Sequence, residues 1–296
     1  MEATTSKAGK KGNYVAVATM DPEIEIWNLD VLDGLYPDAI LGPPRGSTST
    51  SLEALTSTFT ATSIEQDSIG NASKKKKKKL KKVKPGKSDK YHTDSVLSLS
   101  WNKTHQSLLA SSSADSTIKL WDLSTLTGEA IRSYSHHSNK VSAVQWNNKS
   151  PTVLLSGAWG GQLKVFDTRT QDVVLSYDLT PSEGDVECLQ WNEWKESEFL
   201  IGTESGSVQL FDSRMLSSSQ SPHNAADQKP RLWTLDAHTK SVSCLDYNTL
   251  VEGFLVTGGG VDNLVKLWSV TTEGTMQISL ITSKDLGVVR ELLNRG

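Results

Sequence analysis

SSSADSTIKLWDL, residues 111–123, contains a run of small residues, a polar turn, an apolar/polar alternation, and an aromatic followed by an acid. The same phrase returns, altered, as SGAWGGQLKVFDTR at 156–169, GTESGSVQLFDSR at 202–214 and TGGGVDNLVKLWSV at 257–270. An acidic residue follows the aromatic in three of the four versions. A unit that recurs in this way marks a repeat architecture, and it decides the fold before any site is considered.

The tryptophans set the period. Trp101, Trp146 and Trp191 are spaced 45 and 45 residues apart, and Trp121, Phe166 and Phe211 keep the same spacing. Tyr247 and Trp268 continue both series after a longer gap. The contexts VLSLSWN, VSAVQWN, VECLQWN and VSCLDYN read as strands whose alternate residues face opposite ways. LLASSS, VLLSG, FLIGT and FLVTG supply a second strand, and TIKLWD, QLKVFD, SVQLFD and LVKLWS a third. Short strands punctuated by Gly, Ser and Asn turns, with no helical period, match a four-stranded antiparallel blade of about 40 to 45 residues. The fold class read here is all-β: a β-propeller, incomplete, with about four and a half blades and a disordered basic insertion.

Two units carry a further signature. His92, Asp115 and Trp121 lie 23 and 29 residues along one unit, and His238, Asp262 and Trp268 lie 24 and 30 along another. In WD-repeat propellers, such a histidine, a Ser/Thr on the second strand, the aspartate of the next turn and the tryptophan form a buried hydrogen-bonded set. A buried carboxylate requires such partners. The hydroxyl is Ser111 or Ser113 in the first unit and Thr257 in the last. The middle units depart from this pattern. His137 is present, but Gly160 stands at the aspartate position, and the unit ending at Phe211 lacks both groups. Those two blades are expected to rely on packing alone.

The organisation follows. Residues 1–12 read as a disordered N-terminus, 13–30 as a partial blade without its first strand, and 31–91 as a disordered Ser/Thr- and Lys-rich insertion. Residues 92–275 read as four WD-repeat blades, and 276–296 as the truncated start of a further blade. Unpaired strand edges at both ends fit a chain truncated at both ends better than a natural small propeller.

The phrases MDPEIEIWNLD and SWNKTHQ and the lysine run resemble the periodic tryptophan protein one family over roughly residues 12–287. That resemblance implies a nucleolar WD-repeat protein tied to ribosome production and chromatin. Its members are longer, with an acidic N-terminal region and more blades. The closing VVRELLNRG does not continue their pattern.

Charge is segregated. The 296 residues carry a net charge of −3, with 31 Lys and Arg against 34 Asp and Glu. Ten of the lysines fall within residues 74–87: Lys74, Lys75, Lys76, Lys77, Lys78, Lys79, Lys81, Lys82, Lys84 and Lys87. The other 21 basic residues face all 34 acids, so an acidic body bears one basic loop. Such a run self-repels and does not fold alone. It reads as a nuclear or nucleolar address, as a contact to RNA or DNA backbone, or as a solvated spacer. No aromatics interleave the lysines, so a nucleic-acid contact is expected to be weakly sequence-specific and salt-dependent.

The remaining candidates are weaker. FDTR and FDSR place Arg169 and Arg214 as in WD proteins that serve cullin ubiquitin ligases, making them candidate adaptor contacts. His136 and His137 form a pair with no further ligands at metal spacing. Cys188 and Cys244 occupy equivalent points and read as small core residues. Trp159 and Trp194 lie off the main columns and are candidate interface residues. No catalytic constellation, cofactor motif or metal site is indicated. The expectation is a non-enzymatic nuclear and nucleolar scaffold. Its expected partners are pre-ribosome assembly factors or chromatin proteins and the backbone of rRNA or DNA, with no membrane. A substrate receptor of a cullin ligase and a histone-tail reader are the alternatives.

Overall fold

The computed structural model describes residues 12–31, 35–44, 88–125, 127–170, 173–216, 230–271 and 277–286. They form five antiparallel sheets, and the strands within each sheet run in chain order. The first sheet holds β1 (Tyr14–Ala18), β2 (Ile24–Asn28) and β3 (Ala39–Leu41). The second holds β4 (Val96–Trp101), β5 (Leu108–Ser113), β6 (Ile118–Asp122) and β7 (Arg132–Tyr134). The third holds β8 (Val141–Trp146), β9 (Val153–Ala158), β10 (Gln162–Asp167) and β11 (Val173–Asp178). In the fourth are β12 (Val186–Trp191), β13 (Glu198–Thr203), β14 (Ser207–Asp212) and β15 (Arg231–Asp236). β16 (Val242–Tyr247), β17 (Phe254–Gly259), β18 (Leu264–Thr271) and β19 (Gln277–Asp285) make the fifth.

The sheets stack as the blades of an incomplete propeller. Their first strands line up, β4 against β8, β8 against β12 and β12 against β16. Four apolar layers separate the five sheets. Ile24, Ile26 and Leu41 meet Val96, Leu109 and Trp121. Ala110, Ile118 and Leu120 meet Val144, Trp146 and Phe166. Leu155, Leu163 and Val165 meet Trp191, Phe199 and Phe211. Leu200, Val208 and Leu210 meet Tyr247, Leu255 and Trp268. Middle strands are therefore covered on both faces, and every residue of β14 is buried. Burying one such large side chain contributes roughly 1.5–3 kcal/mol.

Small residues set how closely the blades approach. A Cβ on Gly157 would lie 2.5 Å from Val186 Cγ1, and one on Gly202 would lie 2.8 Å from Val242 Cβ. Each inner strand slips register at one equivalent place: Val96/Ser98, Val141/Ala143, Val186/Cys188 and Val242/Cys244. Repetition of one bulge in all four marks it as a built feature of the unit.

Three expectations are corrected. Residues 39–41 lie within the proposed insertion, yet they form β3 on the first sheet. Leu41 and Ala39 join Ile24 and Ile26 in the apolar layer against the second sheet. Residues 277–285 do not begin a further blade. β19 pairs with β18 from Leu264↔Asp285 to Thr271↔Gln277 and completes the fifth sheet. Among the described residues the first sheet holds three strands rather than two, and β1 pairs with β2 alone.

Candidate functional site

The second sheet builds the full hydrogen-bonded set. His92 Nδ1 lies 3.0 Å from Asp115 Oδ2, and Nε2 lies 2.7 Å from Ser111 Oγ. Trp121 Nε1 donates to the same Ser111 Oγ at 2.8 Å. An indole N–H can only donate, so Ser111 accepts from Trp121 and gives its own proton to His92 Nε2. That leaves Nδ1–H for the carboxylate. Thr117 Oγ1 and the Thr93 amide donate to Asp115 at 2.6 and 3.0 Å. Burial keeps His92 neutral by pushing its pKa down, against the pull of Asp115. Burial also works against the charge on Asp115, but the bonds from His92, Thr117 and Thr93 outweigh it, and the carboxyl sits well below its usual range.

The fifth sheet repeats the arrangement. Asp262 Oδ2 lies 2.8 Å from His238 Nδ1, Thr257 Oγ1 lies 2.9 Å from Nε2, and Trp268 Nε1 donates to Thr257 at 2.9 Å. All the predicted members come together except Ser113. Its hydroxyl instead donates to the Asp94 carbonyl at 3.0 Å and receives the Asp115 amide. Ser113 stands two residues beyond Ser111 on β5, one pleat past the histidine.

The middle blades do not rely on packing alone. In the third sheet His137 Nε2 lies 2.8 Å from Ser156 Oγ. Gln162 Oε1 takes over the aspartate's loop role by accepting the Ser138 amide and hydroxyl at 3.3 and 3.2 Å. Burial, helped by the nearby Lys164 charge, pushes His137 down to about 3. The fourth sheet substitutes a different network. Thr203 and Ser207 pair at 2.8 Å, and Gln209 Nε2 donates to Ser207 and to Glu183 at 3.0 and 2.9 Å. Arg231 closes the network on Glu183.

Sequence reasoning missed two further columns. Lys119, Lys164 and Lys266 each stand two residues before the aromatic of the third strand. Their ammonium groups donate to the carbonyls of Ser88, His136 and Ala237 at 2.6, 2.6 and 2.5 Å, pinning the segment that enters each inner strand. Lys119 is fully buried and also donates to Ser133 at 2.7 Å. The second column ties blade to blade. Ser100, Gln145 and Gln190 accept the amides of Trp146, Trp191 and Tyr247 at 3.0, 2.6 and 2.8 Å. Asn102 and Asn147 donate across the same boundaries to the carbonyls of Pro151 and Glu196, at 2.7 and 2.9 Å. The signal was the Asn that follows the aromatic in all four first strands.

Arg169 and Arg214 occupy equivalent ends of β10 and β14. Each bonds edge-on to the carboxylate two residues earlier. Arg169 Nη2 lies 2.5 Å from Asp167 Oδ2, and Arg214 Nη2 lies 2.6 Å from Asp212 Oδ2. The two side chains remain 74% and 75% exposed. Trp159 lies under Lys140, whose Nζ is 4.5 Å from the ring centroid. Trp194 Nε1 donates across a blade boundary to Asn248 O at 3.1 Å. Cys188 is partly buried, with its thiol on the Val242 carbonyl at 3.2 Å, and burial of the sulfur pushes its pKa up. Cys244, at the equivalent point of β16, is exposed rather than a core residue, because no further inner strand packs on it among the described residues. Among those residues no three His, Cys, Asp or Glu side chains gather as a metal site. The lysines at 74–87 lie outside the described residues.

The chain is similar to known proteins at two levels. The family model described as WD domain, G-beta repeat matches residues 84–122, 128–167 and 229–269. The unit lacking both His and Asp lies between the matched ranges. Over 128 residues the chain is 44% identical to Periodic tryptophan protein 1 of Saccharomyces cerevisiae, covering 43% of this chain and 18% of the relative. Over 114 residues it is 44% identical to an uncharacterized WD repeat-containing protein of Schizosaccharomyces pombe, covering 38% of this chain and 16% of that protein. A Periodic tryptophan protein 1 homolog of Drosophila melanogaster is 32% identical over 114 residues, covering 38% and 17%. The match thus spans less than a fifth of the length of these relatives. A chain in the crystal structure of the mitotic checkpoint complex superposes with a TM-score of 0.62 at 14% identity, covering 93% of this chain and 63% of that one. This last likeness speaks to fold alone.

Proposed function

We propose that this chain, a WD-repeat protein related to periodic tryptophan protein 1, is a non-enzymatic scaffold of the nucleus and nucleolus. In this reading it supports rRNA production and pre-ribosome assembly in association with chromatin. The observation that carries the binding role is where the polar chemistry sits. The histidines, aspartates and third-strand lysines of the repeats are engaged within the blades themselves. That leaves the loops and blade boundaries to meet partners. The nucleolar setting rests on the family resemblance carried by MDPEIEIWNLD and SWNKTHQ and on the ten-lysine segment, whose charge suits an address or a phosphate-backbone contact. Imaging a fluorescently tagged full chain, with and without residues 74–87, tests the setting. Nucleolar signal lost on deletion supports it, and cytoplasmic signal from both forms contradicts it.

A second reading is favoured by the two equivalent, exposed arginines. Arg169 and Arg214 are exposed at matching blade positions, where each pairs with the carboxylate two residues earlier and keeps a guanidinium edge toward solvent for an acidic adaptor surface. Binding to purified adaptor that charge reversal at both sites abolishes is the supporting result.

A further inference from the structure

Two blade boundaries are built from equivalent positions, and the residue two places after the asparagine is a tryptophan at only one of them. At the boundary between the fourth and fifth sheets, Asn192, Leu210, Tyr247, Glu252, Gly253 and Val270 surround a cleft. Only about 20 Å³ of it is open. Trp194 lines this cleft, 36% exposed, with its indole N–H on the Asn248 carbonyl. At the boundary between the third and fourth sheets, the corresponding residues are Asn147, Val165, Trp191, Glu196, Ser197 and Ser213. There the cavity is about 570 Å³. The counterpart of Trp194 is Lys149, two residues after its asparagine. It is exposed, and its ammonium bonds the Trp194 carbonyl at 2.9 Å instead of turning inward.

One wall of the open cleft is apolar. Val153 stands where the other cleft has Glu198, and Phe166 and Leu175 complete the wall. At the mouth, Arg214 bonds Asp212 through one edge of its guanidinium, which leaves the planar face for stacking on an aromatic ring. The volume lies within the roughly 300–1,000 Å³ of cavities that hold ligands.

We infer that this cleft between the third and fourth sheets is a socket for a tryptophan side chain presented by an extended segment of a partner protein. Trp194 shows in cis how an indole is seated between two blades. Arg214 supplies the cation that complements an incoming ring, and an aromatic anchor in a desolvated pocket is a common source of interface affinity. The inference rests on the scaffold reading only in taking the ligand to be protein.

The test uses the full chain and a fluorescein-labelled twelve-residue Gly/Ser peptide with a central tryptophan, beside the same peptide with alanine. Anisotropy is expected to show binding at least about tenfold tighter for the tryptophan peptide. Lys149→Trp should fill the socket in cis and weaken that binding by about tenfold or more. If K149W does not fold, Val153→Glu, which copies the carboxylate of the occupied cleft, serves instead. Equal binding of the two peptides, or binding unaffected by both cleft-filling variants, overturns the socket. No binding of either peptide overturns it too. None of these outcomes bears on nucleolar targeting, so failure of the socket and of the scaffold setting are read separately.

Discussion

His137 and Ser156 are joined at 2.8 Å through the histidine's Nε2, while its Nδ1 is buried without a hydrogen-bond partner among the described residues. The matching nitrogens of His92 and His238 face aspartates. His137 should therefore stay neutral down to about pH 3. Gly160→Asp would return a carboxylate to the turn, where an added Cβ meets nothing nearer than Asn139 Nδ2 at 3.9 Å. NMR titration of the imidazole should then show its pKa well above that of the parent, because a nearby anion favours the charged ring. The positive φ at Gly160 costs the variant about 1 kcal/mol of stability.

Ser111 and Ser113 can be told apart by alanine substitution. Ser111→Ala orphans the Trp121 indole N–H and one nitrogen of His92, both buried. Urea unfolding should show a loss of about 2–4 kcal/mol. Ser113→Ala should cost about 1 kcal/mol. Equal costs would contradict the assignment of Ser111 as the bridging hydroxyl.

Lys119→Met keeps the length of the stem and removes two hydrogen bonds from inside the second sheet. The Ser88 carbonyl loses a charged donor, and a loss of about 1–3 kcal/mol is expected. Circular dichroism melts of K119M and K164M should both fall below the parent.

Acid should destabilise the fold in two stages. His92 and His137 both have folded-state pKa values below their ordinary value near 6.5. As pH falls through about 6.5 the unfolded chain takes up protons that the folded chain refuses, so stability declines from there. The slope approaches about 1.4 kcal/mol per pH unit for each histidine. Asp115 and Asp262 are held below their ordinary range, and their contribution is present above about pH 4 and lost as pH falls further. Urea midpoints measured from pH 8 to 2 check both stages. A flat profile across 6.5 to 5 would contradict it.

Much of this architecture was legible in the sequence, because the inner three strands of each unit are patterned by what they bury. The 45-residue spacing of Trp101, Trp146 and Trp191 located the blades, and His92 and His238 located the full sets. The fourth strands were not legible. β3 and β7 are only three residues long, and β19 is exposed along nearly its whole length, so neither length nor burial imprints a pattern. The lysine column was hidden for another reason. In a strand, Lys119 reads as a solvent-facing residue, and its burial is made tolerable by the carbonyl of Ser88 in a preceding segment and the hydroxyl of Ser133 on the neighbouring strand. The fourth sheet's substitute network was equally hidden, since Glu183 and Arg231 stand 48 residues apart.

Affinity purification of the tagged full chain, beside a form lacking residues 74–87, tests the scaffold reading most directly, with both protein and RNA read out. The account predicts recovery of pre-ribosomal assembly factors and precursor ribosomal RNA, with the RNA reduced when the lysines are removed. Recovery of a cullin-ligase adaptor with no pre-ribosomal material from either form would contradict it.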